Sequence, residues 1–151
     1  MTTNKSSREY SVFHLVLIIF FIIGFIIRII GAINISTTEE EAVVLLSTLD
    51  QAGSAPYPPP FLLQLLILGT NSIFGENLIW MRLPFTIIGS LIILLPALFK
   101  KRIGEKTALW IAAFFVIDPF LVAKSFIING NILTIFFSGL LFFFFGYFFS
   151  G

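Results

Sequence analysis

The chain has 151 residues, of which 58% are hydrophobic and 11% are charged, and its formal net charge is +1. Its mean hydropathy of +1.03 is far above that of soluble globular domains, so we predict an integral membrane protein. Because no basic cluster is interleaved with aromatic residues in a soluble segment, nucleic acid is not expected as a partner. The chain contains no cysteine, which excludes disulfides and thiolate metal sites, and its motifs call for no metal or cofactor.

Four apolar runs predict an all-α membrane domain. Each run is long enough to cross a bilayer as a helix, and together they cover residues 12–33, 83–99, 107–123 and 132–150. The first run follows Lys5 and Arg8, as the apolar part of a signal peptide does, but it is too long and has no clear cleavage site. We therefore interpret it as a retained membrane anchor.

The basic residues predict how the chain is oriented. Short loops rich in Lys and Arg stay on the cytoplasmic side, which assigns the N-terminus and the basic loop at 100–106 to that side. Two spans must then separate these regions, so the shorter apolar segment at 60–74 is predicted to be interfacial or re-entrant. This topology places both termini inside and the loop at 34–82 outside. Between residues 34 and 77 that loop is acidic, with neither Lys nor Arg.

The segment after the first span begins with a helix signal. A Thr-Thr pair at 37–38 precedes Glu40 and Glu41 by three residues, which makes two overlapping capping boxes ahead of an apolar run. We predict a helix at 39–51 that lies along the membrane surface, and a second surface helix at 60–74. On this local pattern alone, the glutamates favour the positive end of a helix dipole and need no chemical role.

Two charged residues lie in or next to predicted spans. Arg28 is near the outer end of the first span, where its side chain either snorkels to the headgroups or forms a salt bridge to Glu40 or Glu41. Asp118 is near the outer end of the third span. Because an acid at membrane depth is costly, we expect it in a structural ion pair with Lys124 or Arg82.

Four short motifs follow one another between the first span and the start of the second. They are Glu40-Glu41-Ala42, Pro59-Pro60-Phe61, Phe74-Gly75 and Arg82-Leu83-Pro84. This series resembles the Asp-Glu-Ala, Pro-Pro-Leu, Phe-Gly and Arg-Leu-Pro elements of the GT-C membrane glycosyltransferases. The similarity is to the protein O-mannosyltransferases and the aminoarabinose transferase of lipid A. It extends over most of the chain and rests on the order of the motifs, since none of them is specific alone.

The resemblance implies an enzyme that takes a sugar from a polyprenyl-phosphate carrier and transfers it to a hydroxyl group. The implied catalytic residues are Glu40 and Glu41, because a carboxylate within hydrogen-bond reach can accept the hydroxyl proton. Arg82, Lys124 and Asn131 are implied to lie near the donor phosphate or the acceptor. Glu40 stands where the family has Asp. Asn131 stands at the position of a second outer-face acid, where an amide cannot act as a base.

Two functions follow from these observations. The first is a GT-C-like glycosyltransferase module that corresponds to the first third of a family member and needs a second polypeptide to complete the carrier site. The second is a non-catalytic accessory subunit of a larger membrane complex, favoured by the aromatic final run at 140–151, which suits contact with lipid or another membrane protein. The chain begins with Met and ends just after the fourth run, as expected of a finished polypeptide.

Overall fold

The structure is a computed structural model that describes residues 3–49 and 59–149, with side chains described from residue 12 onward. The regular structure in these ranges is entirely helical. In chain order the helices are α1 (Thr3–Asn34), α2 (Glu39–Leu49), α3 (Phe61–Phe74), α4 (Leu78–Leu91), α5 (Leu95–Leu98), α6 (Lys100–Ile103), α7 (Glu105–Ile117), α8 (Pro119–Phe126) and α9 (Asn131–Phe148). A 3₁₀ turn at Ile92–Leu94 joins α4 to α5.

Within residues 3–49 and 59–149, three helical segments are each long and apolar enough to cross a membrane. They are Val12–Asn34, Leu78–Leu98 and Asn131–Phe148, with mean hydropathies of 3.0, 2.1 and 1.8. Together with the composition, they identify the chain as an all-helical membrane protein. They coincide with three of the four predicted spans, although the end of the last one, at 150, lies outside the described residues.

The second of these segments begins earlier than the apolar run at 83–99 predicts. Helix α4 begins at Leu78, and its N-terminus is capped by Asn77, whose Oδ1 accepts a hydrogen bond from the Ile79 amide at 3.0 Å. The predicted span begins only after Arg82 because a charged residue lowers the hydropathy of the run. In the structure this charge is buried and paired within the protein, so the helix continues through it.

The third predicted span, at 107–123, is not one straight helix. Helices α7 and α8 are bent by 59° at Asp118, where the backbone leaves the helical region with φ −59° and ψ 114°. Proline disfavours a helical conformation in the residue that precedes it, and Pro119 then starts α8. The predicted span therefore corresponds to two helices, which together are apolar enough to form one bent span.

The two predicted surface helices are present as separate helices. Helix α3 lies within one residue of the predicted 60–74, and α2 begins at Glu39 as predicted. The amide of Glu41 donates to the Thr38 hydroxyl at 3.3 Å, which is half of the predicted capping box. The predicted end of α2, at 51, lies outside the described residues.

In the part of the chain that the structure describes, the buried apolar residues form two main clusters that both include residues of the segment from α4 to α5. One joins α3, α4 and α9, and the other joins α1 and α7 to the same central segment. The members of the first cluster are Leu63, Ile67, Met81, Phe85, Ile92, Leu95, Ile128, Ile132 and Leu133. The members of the second are Phe13, Leu17, Ile93, Ala108, Ala112 and Val116. The second membrane segment is therefore the centre of the packing.

Small residues let the helices approach closely where they cross. A Cβ atom at Gly89 of α4 would collide with the Cβ of Ser125 on α8 and lie 3.1 Å from its Cα. A Cβ at Gly31 of α1 would be 2.5 Å from the ring of Phe126. Contacts of this kind are typical of membrane helices, whose association relies on close backbone approach rather than on the hydrophobic effect.

Substitution of Gly89 tests this crossing. Gly89→Ala should lower the thermal midpoint of the detergent-solubilised protein, because the new methyl group pushes α8 away from α4, and overpacking of this kind costs about 1–3 kcal/mol. Far-ultraviolet circular dichroism measures the midpoint. Gly69→Ala is the matched control, since no atom lies within 4 Å of a Cβ at that position and alanine favours a helix. An unchanged midpoint for Gly89→Ala would contradict the close crossing.

Candidate functional site

Glu41 and Arg82 form an ion pair enclosed by the helices. The Arg82 guanidinium donates from Nε to Oε1 of Glu41 at 2.9 Å and from Nη2 to Oε2 at 2.5 Å. The two side chains are only 0% and 1% exposed. Bidentate bonds between arginine and a carboxylate are among the strongest in proteins, so this pair fixes the start of α2 against α4.

The remaining donors of Arg82 bond to the end of α1. Nη1 donates to the carbonyl oxygens of Ala32 at 2.7 Å and Ile35 at 2.9 Å, and Nη2 donates to that of Ser36 at 3.3 Å. All five N–H groups of the guanidinium therefore have an acceptor. Ala32 carries one of the last four carbonyls of α1, which lack partners inside a helix. Arg82 thus also compensates the negative end of the α1 dipole.

Glu41 also holds the segment between α8 and α9. Its Oε1 accepts a hydrogen bond from the Ile128 amide at 3.2 Å. In the same segment Asn129 Oδ1 accepts a hydrogen bond at 3.1 Å from the amide of Asn131, the first residue of α9. The Asn129 Nδ2 is buried and has no hydrogen-bond partner among the described residues. Buried donors are normally satisfied, so this amide is the polar group of the segment that the described residues leave unmatched.

Glu40 and Lys124 form a second ion pair, which is exposed, whereas the first is buried. Lys124 Nζ on α8 lies 2.8 Å from Glu40 Oε2 on α2. The Glu40 side chain is 63% exposed and that of Lys124 is 20% exposed. Consecutive positions on a helix point about 100° apart, so Glu40 faces outward while its neighbour Glu41 faces the interior. Exposed pairs of this kind contribute little to stability, and this one is accessible from outside the fold.

The structure separates the residues that the resemblance groups together. Glu40 and Lys124 come into contact at the surface, whereas Glu41 and Arg82 are engaged in the interior. All N–H groups of Arg82 are already hydrogen-bonded, so none is left to bind the phosphate of the sugar donor. Glu41 could act as a base only after its ion pair with Arg82 had been broken. Of the two acids implied to be catalytic, Glu40 is therefore the accessible one.

The position after α8 shows what the sequence pattern missed. Asn131, the residue selected from the sequence, is exposed at the first position of α9. Asn129 lies two residues earlier, is 6% exposed, and carries the unpartnered amide. The signal that could have identified it is the Asn-x-Asn spacing ahead of an apolar helix, because an asparagine side chain often bonds to the amide two residues on.

Arg28 is buried in the interior, with 0% exposure. Its Nη1 donates to the Gly24 carbonyl at 3.0 Å and its Nη2 to the Phe115 carbonyl at 2.9 Å. The second bond links α1 to α7. These contacts replace both the headgroup contact and the glutamate pair expected from the sequence, and they give Arg28 a structural role between two helices.

Asp118 acts as the N-cap of α8. Its Oδ1 accepts hydrogen bonds from the amides of Phe120 at 2.8 Å and Leu121 at 3.2 Å. Its charge attracts Arg28, although the structure shows no direct contact between these two side chains. The sequence predicts Lys124 or Arg82 as the partner of Asp118. In the structure these two residues pair with the glutamates of α2 instead. The polar groups at this bend are thus satisfied mainly by the backbone.

The fold and the site define a class of protein, an all-helical membrane protein with paired charges where α2 meets α4 and α8. No protein-family model matches the chain, and neither curated proteins nor solved structures provide a match. Among the residues that the structure describes, no group of three or more His, Cys, Asp or Glu side chains could hold a metal ion. The chemistry of the site must therefore be inferred from the two ion pairs and the Asn129 amide.

The adjacent glutamates provide a matched test of the two ion pairs. Glu41→Gln should destabilise the protein by about 3 kcal/mol or more, because it leaves the Arg82 charge buried without a counter-charge. Glu40→Gln should cost less than about 1 kcal/mol, as for other exposed pairs. Thermal unfolding in detergent, followed by the fluorescence of the two tryptophans, measures both variants.

A double-substitution cycle distinguishes the ion pair from a general loss of packing. Glu41→Gln combined with Arg82→Gln removes both charges, so its destabilisation should be clearly smaller than the sum of the two single effects. Additive effects would indicate that Glu41 and Arg82 do not interact in the folded protein.

Proposed function

We propose that the chain is a GT-C-like membrane module that presents Glu40 and Lys124 to a polyprenyl-phosphate-linked sugar. The observation that supports the proposal is the 2.8 Å contact between these two side chains, which are 84 residues apart in sequence. The resemblance implies an acid after the first span, near the reacting centre, and a basic residue after the third span. The basic position aligns with Phe126, and Lys124, two residues away, is the substitute for it. In the structure Glu40 and Lys124 meet at an accessible surface.

The chemistry of the pair suits transfer from a lipid-linked donor. The Lys124 ammonium can bind a phosphate oxygen as a point charge. Release of Glu40 from Lys124 would leave its carboxylate free to accept the proton of an acceptor hydroxyl. A bond then forms between the hydroxyl oxygen and the anomeric carbon, and the bond from that carbon to the phosphate oxygen breaks. The polyprenyl phosphate leaves with the bonding electrons, and the proton remains on Glu40.

The proposal includes a membrane protein partner. Among the described acids, Glu40 is the one in contact with Lys124, and the chain has an amide at Asn131, where the resemblance implies a second acid. A polypeptide that supplies further spans would complete the groove for the carrier lipid. The buried Arg82–Glu41 pair then serves as the fixed support that holds α2 beside α8.

The proposed topology has four spans, with the bent pair α7 and α8 as the third. Both termini and the basic α6 region are then cytoplasmic, and the Glu40–Lys124 pair is on the outer face. The distribution of basic residues supports this arrangement.

Single cysteines test the topology cleanly because the chain has none of its own. In intact cells a membrane-impermeant maleimide should label Glu76→Cys, and it should label Thr107→Cys only after the membrane is permeabilised. Both positions are exposed, so accessibility in the fold does not limit the reaction. Labelling of Thr107→Cys in intact cells would contradict the proposed orientation.

The activity is tested by the exposed pair. In membranes that carry the assembled system, Glu40→Gln should abolish sugar transfer from a polyprenyl-phosphate donor, because it removes the carboxylate beside Lys124 that would accept the hydroxyl proton. Lys124→Gln should weaken binding of the polyprenyl phosphate carrier to the purified protein in nanodiscs. Lys106→Gln is the control, as an exposed lysine at the opposite end of the proposed spans. Unchanged transfer with Glu40→Gln would refute a catalytic role.

The second candidate function, a non-catalytic accessory subunit, is favoured by α9. Only 11% of the 18 residues of this helix are buried within the described structure. Its large exposed side chains include Phe137, Leu141, Phe142, Phe144, Phe145 and Phe148. A surface of this kind can pack on another membrane protein by van der Waals contact. Mild-detergent extraction followed by mass spectrometry should recover a stable partner, and recovery of a free monomer would count against this function.

A further inference from the structure

A cluster of cations lies at the end of the second membrane segment that is remote from the buried ion pair. Lys100, Lys101 and Arg102 are consecutive residues of α6, which follows Leu98. Arg82 lies near the start of the same segment. At 1.5 Å per helical residue, the two charged regions are roughly 25 Å apart. The cluster is therefore a separate feature from the site of the proposed function, and the inference drawn from it does not depend on that function.

The cations border a cavity of about 480 Å³ between α6 and α9. Its polar rim consists of Lys100, Lys101 and Arg102, and its aromatic wall includes Phe143 and Tyr147. We call this cavity the basic pocket. It combines positive charge at the end of a membrane segment with an apolar lining.

An apolar groove adjoins the basic pocket along α9. The groove has a volume of about 410 Å³ and shares Phe99 and Arg102 with the basic pocket. Its other lining residues include Leu141, Phe142 and Phe145. A molecule that fills both spaces would place an anion at the rim and a hydrocarbon chain along the helix.

The three cations at the rim differ in how they are engaged by the described residues. Lys100 lies 3.9 Å from Glu105 and 4.7 Å from the centre of the Phe13 ring. Arg102 donates to the carbonyl of Gly146 near the end of α9. Lys101 is exposed, and no hydrogen bond or ion pair within the described ranges engages its ammonium. Lys101 is thus the rim cation that the described residues leave without a counter-charge.

We propose that the basic pocket binds the headgroup of an anionic phospholipid, with one acyl chain in the adjoining groove. Basic pockets at the ends of membrane helices attract such headgroups, and each nearby Lys or Arg strengthens the attraction. A neutral phospholipid offers the same hydrocarbon but carries no net charge to balance the rim. A soluble anion offers the charge but leaves the groove empty. The anionic lipid alone satisfies both parts of the surface.

Short-chain phospholipids added to the purified protein in a neutral detergent test the proposal. Phosphatidylglycerol should raise the thermal midpoint in a concentration-dependent manner, because a ligand that binds the folded state stabilises it. Phosphatidylcholine with identical chains and inorganic phosphate should leave the midpoint unchanged. A shift of the same size with phosphatidylcholine, or with phosphate alone, would overturn the proposal.

Two matched lysine substitutions locate the site. Lys101→Gln should weaken phosphatidylglycerol binding about fivefold, as expected for the loss of one cation near a lipid surface. Lys106→Gln removes the same charge from an exposed residue that does not line the pocket, and its affinity should stay within twofold of the unsubstituted protein. Equal weakening by both substitutions would indicate a diffuse charge effect and overturn the site. The lipid comparison on the unsubstituted protein decides the matter if Lys101→Gln does not fold.

Discussion

Arg82 is buried where α1, α2 and α4 meet, with 1% of its surface exposed. A guanidinium removed from water costs several kcal/mol unless its charge and all its donors are matched. Here the Glu41 carboxylate supplies the charge, and the carbonyls of Ala32, Ile35 and Ser36 supply the remaining acceptors. These partners come from α1, α2 and the turn between them, while Glu41 also reaches the Ile128 amide. The pair therefore determines where three separate segments meet α4.

This constraint gives two adjacent glutamates different roles. Glu41 is enclosed and committed to the fold, whereas Glu40 is exposed and bonded only to Lys124 among the described residues. A base for proton transfer must be reachable by its substrate, which is a property of Glu40 and not of Glu41. A residue that holds α2 in place must have a fixed position, and the buried bidentate pair with Arg82 gives Glu41 such a position. The α2 helix thus carries the structural and the candidate chemical residue on neighbouring positions.

Local features of the fold could be predicted from the sequence, and long-range pairings could not. Hydropathy located the membrane helices and the Thr38 hydroxyl located the start of α2, because both signals lie within a few residues. Arg82 and Glu41 are 41 residues apart, and no local pattern shows that one neutralises the other. The same limit explains why α4 begins earlier than predicted. The bend at Asp118 had a local signal in the following proline, but the continuous hydropathy of the run outweighed it.

The positions of Glu40 and Lys124 are fixed by residues that have no proposed role in sugar transfer. Lys124 is carried by α8, whose start is fixed by the Asp118 cap and whose next residue, Ser125, lies against Gly89 of α4. Glu40 is carried by α2, which Arg82 of the same α4 holds through Glu41. Both members of the exposed pair are therefore positioned by α4, through Arg82 and Gly89, which are about two helical turns apart. A change at Gly89 would move Lys124 while leaving Glu40 in place, so the small side chain at this crossing matters to the geometry of the site as well as to stability.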